Sequence, residues 1–397
     1  MSLGYGVTQY PLGSVSVLLG DSASNDSFSR LRVSEPVGLF SAQCQYDADP
    51  LLYETGNTGT GVVPAHNVDT RMVALSATAG TGTSFIQSYE YVPYQPGKSQ
   101  LIFVTGVIGA AVAAAVVDIG AFDAANGIGL RQNGTSGLQF FRRTSTSGSV
   151  VTNTVDQSSW NQDKLDGTGK SGITLDITKA IILVIDAQFL AMGRVRFGFD
   201  IDGMIVWAHY MKHANVIAVP YMQTLTLPIQ MLITATSTAG TKTAHFKCAS
   251  VSSEGGFADD AGYSFATPEG TVTAANGART HILSIRPRTT FNSLANRYRY
   301  KTTSLEVFVT GANPVFWELC IGATFSVAPT FGNVNATYSG TDYGTGGTLS
   351  AAGLVIASGY VSATNQSKTS VSREIAARYP ISLDRAGAVR ANGTMSL

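Results

Sequence analysis

Apolar and polar positions along this chain alternate with a period of two far more often than with the 3.6 of a helix. The sharpest case is RVRFGFDIDGMIVWAHY, residues 194–210. Val195, Phe197 and Phe199 alternate with Arg194, Arg196 and Gly198, and Asp202-Gly203 then supplies the positive-φ pair that a two-residue type I′ hairpin requires. A second hairpin is predicted over GIGLRQNGTSGLQFFRRT (127–144), with Asn133-Gly134 in its turn region. IILVIDAQFL (181–190) is apolar almost throughout and reads as a strand buried on both faces for most of its length. Helices are hard to find, because even ITLDITKAIILVI is too dense in β-branched residues. Short strands divided by Gly-rich turns predict an all-β fold, a β-sandwich or jelly roll.

Residues 101–117, LIFVTGVIGAAVAAAVV, run 17 positions without a charge. That is at the lower edge of a spanning helix. Two glycines, the β-branched opening and Asp118 immediately after it favour a buried strand, a small-residue turn and a second strand, and no membrane insertion.

A length of 397 residues exceeds what one core usually serves, so two domains are expected. Residues 1–36 are polar, lack aliphatic periodicity and end in RLRVSEP, which predicts an arm. Residues 37–255 form the sandwich. The stretch ASVSSEGGFADDAGYSF (249–265) breaks the pattern, and residues 256–397 form a second, smaller β domain with strands in HILSIRP, LANRYRYKTTSLEVFVTG, VFWELCIGA and TLSAAGLVIASGYV. No fixed period recurs, which argues against a solenoid.

Charged residues make up 13% of the chain, about half the usual ~25%. Lys+Arg and Asp+Glu are equal at 26 each, so no net field draws nucleic acid or an anionic membrane, and no nucleic-acid partner is expected. A surface so poor in charge points to cover by copies of the chain or by neighbours. Cys44, Cys248 and Cys320 lie far apart without a CxxC spacing and read as reduced, buried small hydrophobes, which suits assembly in a reducing cytoplasm. MSLGYGVTQY has no cationic start followed by an apolar run, so no signal peptide is expected.

Gly97-Lys98-Ser99 and Gly169-Lys170-Ser171 resemble the end of a phosphate-binding loop, but the required earlier glycine is Val92 in one and Lys164 in the other. His209 and His213 have metal-compatible i,i+4 spacing on a helix, yet they follow a hairpin strand without a third ligand. Asp47/Asp49, Asp200/Asp202 and Asp259/Asp260 could form an acid–base pair or a calcium loop, although the hairpin turn already explains Asp202. No GxSxG elbow is present. The expectation is therefore a non-enzymatic chain with no catalytic residue, no cofactor and no metal. In RTHILSIRPRTTFNSLANRYRYK (279–301), Arg297, Arg299 and Lys301 would share one strand face, with Tyr298 and Tyr300 on the other. Arg and Tyr are enriched where protein surfaces meet, so Arg297, Tyr298, Arg299 and Tyr300 are interface candidates. Tyr338 and Tyr343 are the aromatic candidates for a glycan contact.

FSRLRVSEPVGLFSAQCQYDADPLLYETG (28–56) resembles the opening of a family of structural proteins from tailed bacteriophages. Further similar segments are YVPYQPGKSQLIFVTGVIGA (91–110), WNQDKLDGTGKSGITLD (160–176), RVRFGFDIDGMIVWAHY (194–210), VSSEGG (251–256) and, more loosely, WELCIGATFSV (317–327). The resemblance implies a virion protein of the head, collar or tail, assembled in the bacterial cytoplasm, and supplies no catalytic residues. The DIDGMIVWAHY hairpin (200–210) is also similar to one in concanavalin-like sandwiches. Expected partners are other virion proteins and, from the weakly charged strand edges, copies of the chain itself, a trimer favoured over a dimer by analogy with phage surface proteins; a receptor- or host-surface glycan-binding module is the alternative. The arm would reach a neighbour through Arg30, Arg32 and Glu35, because weakly charged, Gly/Thr-rich strand edges need covering.

Overall fold

The computed structural model of the protein describes residues 35–258, 262–274, 276–362, 371–374, 382–390 and 394–397, and the backbone of a short antiparallel pair, Thr8–Gln9 with Val15–Ser16. The period-two segments become 13 strands of one curled sheet. In chain order they are β1 (Val37–Gln43), β2 (Tyr53–Asn67), β3 (Met72–Ser88), β4 (Gln100–Val107), β5 (Ala115–Phe122), β6 (Gly127–Asn133), β7 (Leu138–Thr144), β8 (Val151–Asp156), β9 (Ile181–Ala187), β10 (Val195–Ile201), β11 (Met204–Met211), β12 (Ile229–Thr238) and β13 (Lys242–Ser253). The order is β8-β7-β6-β5-β12-β3-β13-β4-β9-β10-β11, with β1 on β13 and β2 on β3.

The curl comes from β3. Its residues 73–77 pair with β13 and its residues 80–87 pair with β12, so one strand serves both layers of a jelly-roll sandwich. The bend falls at Gly80 and Gly82. Gly80 has φ +119°, and a Cβ on Gly82 would sit 2.4 Å from the Thr58 carbonyl, so glycine is needed where the strands cross over each other. Between the layers, Phe140 stacks on Trp160 at 4.3 Å and on Phe197 at 4.6 Å, while Tyr53 packs edge-on to Phe40 and Phe246. Each fully buried ring contributes roughly 2–3 kcal/mol of transfer free energy.

Local expectations mostly hold. In the β10–β11 hairpin, Ile201 faces Met204, and Asp202 and Gly203 have φ +53° and +81°. The β6–β7 hairpin turns through Gly134–Ser136. Residues 101–117 become β4, a turn and the start of β5, which belong to opposite layers. No helix among the described residues is long and apolar enough to cross a membrane. The strand expected through 190 ends at Ala187, and Leu190 is exposed instead of buried.

Beyond β13 the strands join smaller sheets. β14 (Ser284–Pro287), β15 (Val315–Ile321), β16 (Thr330–Asn333), β17 (Thr341–Thr345), β18 (Leu354–Val361) and β19 (Met395–Ser396) form a six-stranded sheet ordered β16-β17-β14-β19-β15-β18. Trp317, Leu319, Ile321, Val361 and Met395 form its core. The long strand expected through LANRYRYKTTSLEVFVTG is replaced by two short ones, Leu294–Ala295 and Ser304–Val307. The reason is local: Asn296 and Tyr300 both donate to the Gly340 carbonyl, while Arg297 and Arg299 turn to Asp123 and Glu90.

Candidate interaction surfaces

In the layer made of β8, β7, β6, β5, β12 and the second half of β3, one set of side chains fills the core and the other set faces away. On β5, Val117, Ile119 and Ala121 point inward, which leaves Asp118 and Phe122 on the outer face. There Phe122, Phe85, Phe141 and Leu232 form a separate apolar cluster. Asp118 binds Arg131 through two bonds of 2.7 and 2.8 Å and Arg143 through one of 3.3 Å. Those guanidiniums lie 5.3–5.6 Å from the Phe122 and Phe141 rings. Gly129 makes the packing possible, since a Cβ there would meet the Phe141 ring at 2.8 Å. The Asp118 bond raises Arg131 above its ordinary pKa, while burial lowers Arg143.

The smaller part of the chain closes over this face and its rim with arginines. Arg297 pairs with Asp123 and lies 5.5 Å from the Tyr91 ring, and Arg299 reaches Glu90 at 3.4 Å. Arg385 lies 4.3 Å from the Phe85 ring, and its backbone N–H donates to Glu54 at 2.8 Å. Arg390 is buried 3.8 Å from the Tyr89 ring and donates to the Leu51 carbonyl. Burial pushes the Glu54 carboxyl and the Tyr91 phenol up, the latter to about 12. A carboxylate doing acid–base work must reach substrate. Asp118 is chelated by two guanidiniums instead, and Glu54 accepts from the covering backbone.

Among the sequence-predicted interface residues, Arg297 and Arg299 thus join two parts of the same chain. Tyr300 donates to the Gly340 carbonyl at 2.7 Å, and Tyr298 is exposed beside Phe291. Glu35 is exposed, and its carbonyl accepts from the Gly256 N–H at 3.1 Å. Arg30 and Arg32 lie outside the described residues, as do Asp259 and Asp260. His209 Nδ1 accepts from the Asn161 N–H, and His213 Nδ1 donates to the Gly193 carbonyl, so each ring is committed locally. Burial lowers both histidines. Among the described residues no three His, Cys, Asp or Glu converge to hold a metal ion. Asp200 accepts from the Gly203 N–H and Asp47 from the Asp49 N–H, both as turn bonds. Cys44 and Cys320 are buried free thiols, and Cys248 is half-buried.

Among the cavities formed by the described residues are two lined by charged side chains. One of about 230 Å³ is lined by Arg286, Arg288, Asn333 and Asp342. The other, about 300 Å³, lies between Gly97-Lys98-Ser99 and the end of β9, with Arg194, Arg196 and Glu254 on its wall. There Asp186 pairs with Arg196, whose guanidinium lies 4.5 Å from the Trp207 ring, and Ser99 donates to Glu254. Sequence reasoning missed Arg385, Arg390 and the outward aromatic cluster. Phe122 and Phe141, set opposite in phase to the core residues of their strands, were the available signal.

No protein-family model matches the chain, and neither does any curated protein. Among solved structures, it is similar to a Bacillus licheniformis β-glucanase at 13% identity and TM-score 0.32, over 53% of this chain and 97% of that one. It is also similar to the CBM2 module of the evolved Dit of Lactobacillus casei BL23 phage J-1, at 6% identity and TM-score 0.34, over 57% of this chain and 100% of that one. A third is the botulinum neurotoxin serotype D binding domain, at 10% identity and TM-score 0.33, over 55% and 48%.

Proposed function

We propose that this chain is a non-enzymatic structural component of a tailed-phage particle, acting through contacts with copies of itself and with other virion proteins. The observation that supports this reading is the packing of the chain's own Arg385 on the outward sheet face and of Arg297 and Arg390 at its rim, which makes that face internal packing. The RLRVSEP and YDADPLLYE segments, with their resemblance to phage structural proteins, supply the particle. Mass spectrometry and electron microscopy of purified particles test it. A protein abundant in infected cells but missing from particles refutes it.

A second reading, a receptor- or glycan-binding module of the same particle, draws on Tyr338. This ring is 70% exposed on a turn fixed by Asn335, whose Oδ1 accepts from the Thr337 and Tyr338 N–H groups. An aromatic on a rigid mount is the chemistry that stacks on a sugar face. Saturable adsorption of the purified protein to host cells, lost in Tyr338→Ala, favours this reading, and release of reducing ends from envelope material would instead establish a hydrolase.

A further inference from the structure

Where β9 ends, the chain makes a conformation that its residue types do not favour. Leu190 and Ala191 have φ of +36° and +59°, a region that side chains other than glycine or asparagine avoid. The surroundings hold them there. The Leu190 N–H donates to the Tyr94 hydroxyl at 3.0 Å, the Tyr221 N–H to the Ala191 carbonyl at 3.0 Å, and His213 Nδ1 to the Gly193 carbonyl at 2.6 Å. Beneath the loop, Tyr94, Phe189 and Tyr221 pack edge to face at 5.1 and 5.4 Å, and His213 stacks on Tyr221 at 4.0 Å. The bonds from Tyr221 and His213 tie residues 188–193 to residues 214–219, so the two loops stand as one unit.

This rigid mount presents aliphatic side chains to solvent. Leu190 is 54% exposed, Met192 38%, Val216 71% and Val219 55%. Residues 188–193 and 213–221 contain no Asp, Glu, Lys or Arg. Arg194 and Lys212 flank them and make no ion pair among the described residues, Arg194 lying 5.8 Å from the Tyr210 ring, and Lys98, in the adjoining cavity, donates to the Gln95 amide oxygen at 3.0 Å; of the carboxylates in that cavity, Asp186 faces Arg196 and Glu254 accepts from Ser99. Glycine at 190 would relieve the strain, so a leucine there makes sense if the side chain is used.

We propose that these joined loops are a docking knob that inserts into an apolar socket, rimmed by acidic side chains, on another protein of the particle. This partner class rests on the structural role proposed above. The aliphatic tips select an apolar socket, and the unpaired cations select the acidic rim. A second copy fits less well, since the two cavities described above are lined by charged side chains. A bilayer fits less well too, because the tips carry none of the Trp or Tyr that interfacial anchors use.

The test compares attachment of native protein and of Leu190→Asn, Val216→Asn and Arg194→Glu variants to particles assembled without it. Leu190→Asn keeps a residue tolerant of positive φ, so its unfolding midpoint should equal or exceed the native one, while attachment falls at least about tenfold, as when a buried anchor is lost. Arg194→Glu should weaken attachment and flatten its salt dependence. Attachment of all three variants within about twofold of native overturns the knob. So does a change in self-association by light scattering, which would make the occupant a second copy, or Leu190-dependent binding to phosphatidylglycerol vesicles, which would make it a membrane. Failure of the native protein itself to attach overturns the structural role and this partner with it.

Discussion

Lys242 offers the most quantitative check on the fold. Its side chain is buried at the end of the sandwich, and Nζ donates to the carbonyls of Gly109 and Ala110 at 3.1 and 2.6 Å and to Gln132 Oε1 at 2.5 Å. All three acceptors are neutral, and burial lowers the ammonium from 10.5 to about 8. A lysine whose folded pKa is depressed carries its full penalty below the folded value and loses it as pH rises toward the unfolded value. Between pH 8 and 10.5 the unfolded chain holds the proton that the folded chain has shed, so stability rises with pH there. Linkage with these two values gives a gain of about 1.3 kcal/mol from pH 7 to pH 9, or about half a molar in urea midpoint. Cys44 and Cys320, raised by burial, act in the opposite direction once unfolded thiols ionise above about pH 8.5. The readout is therefore the difference between native protein and Lys242→Met. Urea unfolding at pH 7 and 9 can be followed by Trp160 and Trp207 in a Trp317→Phe background, which isolates the sandwich. Lys242→Met should be less stable overall, because three acceptors lose their donor, yet it should lack the gain. Parallel pH profiles for the two proteins would refute the buried ammonium.

Three further outcomes follow from the smaller part of the chain. Deleting residues 394–397 removes β19, the strand between β14 and β15 that buries Met395, and should cost this unit at least about 3 kcal/mol, seen as loss of Trp317 signal with the sandwich midpoint unchanged. Arg297→Ala strands Asp123, which is 7% exposed, and should loosen the packing of the two parts by about 1–2 kcal/mol, measured as faster proteolysis within residues 257–280. β18, LVIASGYV, is an edge strand with no charge and no proline, and Ser358 is exposed at its middle. If copies associate through this edge, Ser358→Lys should shift light scattering toward monomer without changing the unfolding midpoint.

The sequence made the hairpins legible because their signals are local. Asp202-Gly203 and the flanking alternation state both the turn and the register. Two glycines, a β-branched opening and Asp118 likewise distinguish residues 101–117 from a membrane helix. What could not be read is what meets what. Arg385 and Phe85 lie 300 positions apart, and nothing near either one names the other. The Arg/Tyr pattern of residues 297–300 marked a contact, but alternation alone predicted a strand where the chain instead fixes each side chain to a different neighbour. The knob was hidden for another reason. A glycine or asparagine at 190 would have announced the turn, whereas leucine there continued the apolar run of β9 and looked like strand.

That misreading bears on the scarcity of charge. Part of the charge this chain has is used internally: Asp118, Asp123 and Asp186 each face a guanidinium, and Arg131, Arg143, Arg297, Arg385 and Arg390 each lie near an aromatic ring. An arginine stacked this way packs as an apolar plate and leaves only its edge to hydrogen-bond. Arginines used in this way are not available to keep loops and edges solvated, in a chain whose charged fraction is only 13%. The exposed Leu190, Val216 and Val219 at one end, and Leu354 and Tyr360 on β18, are then the surfaces with the most to gain from cover. They lie on separate elements, so one contact need not serve both. On the proposed reading the aliphatic loop pair touches a different protein, and the edge of β18, unpaired among the described residues, is the place for contact with a copy.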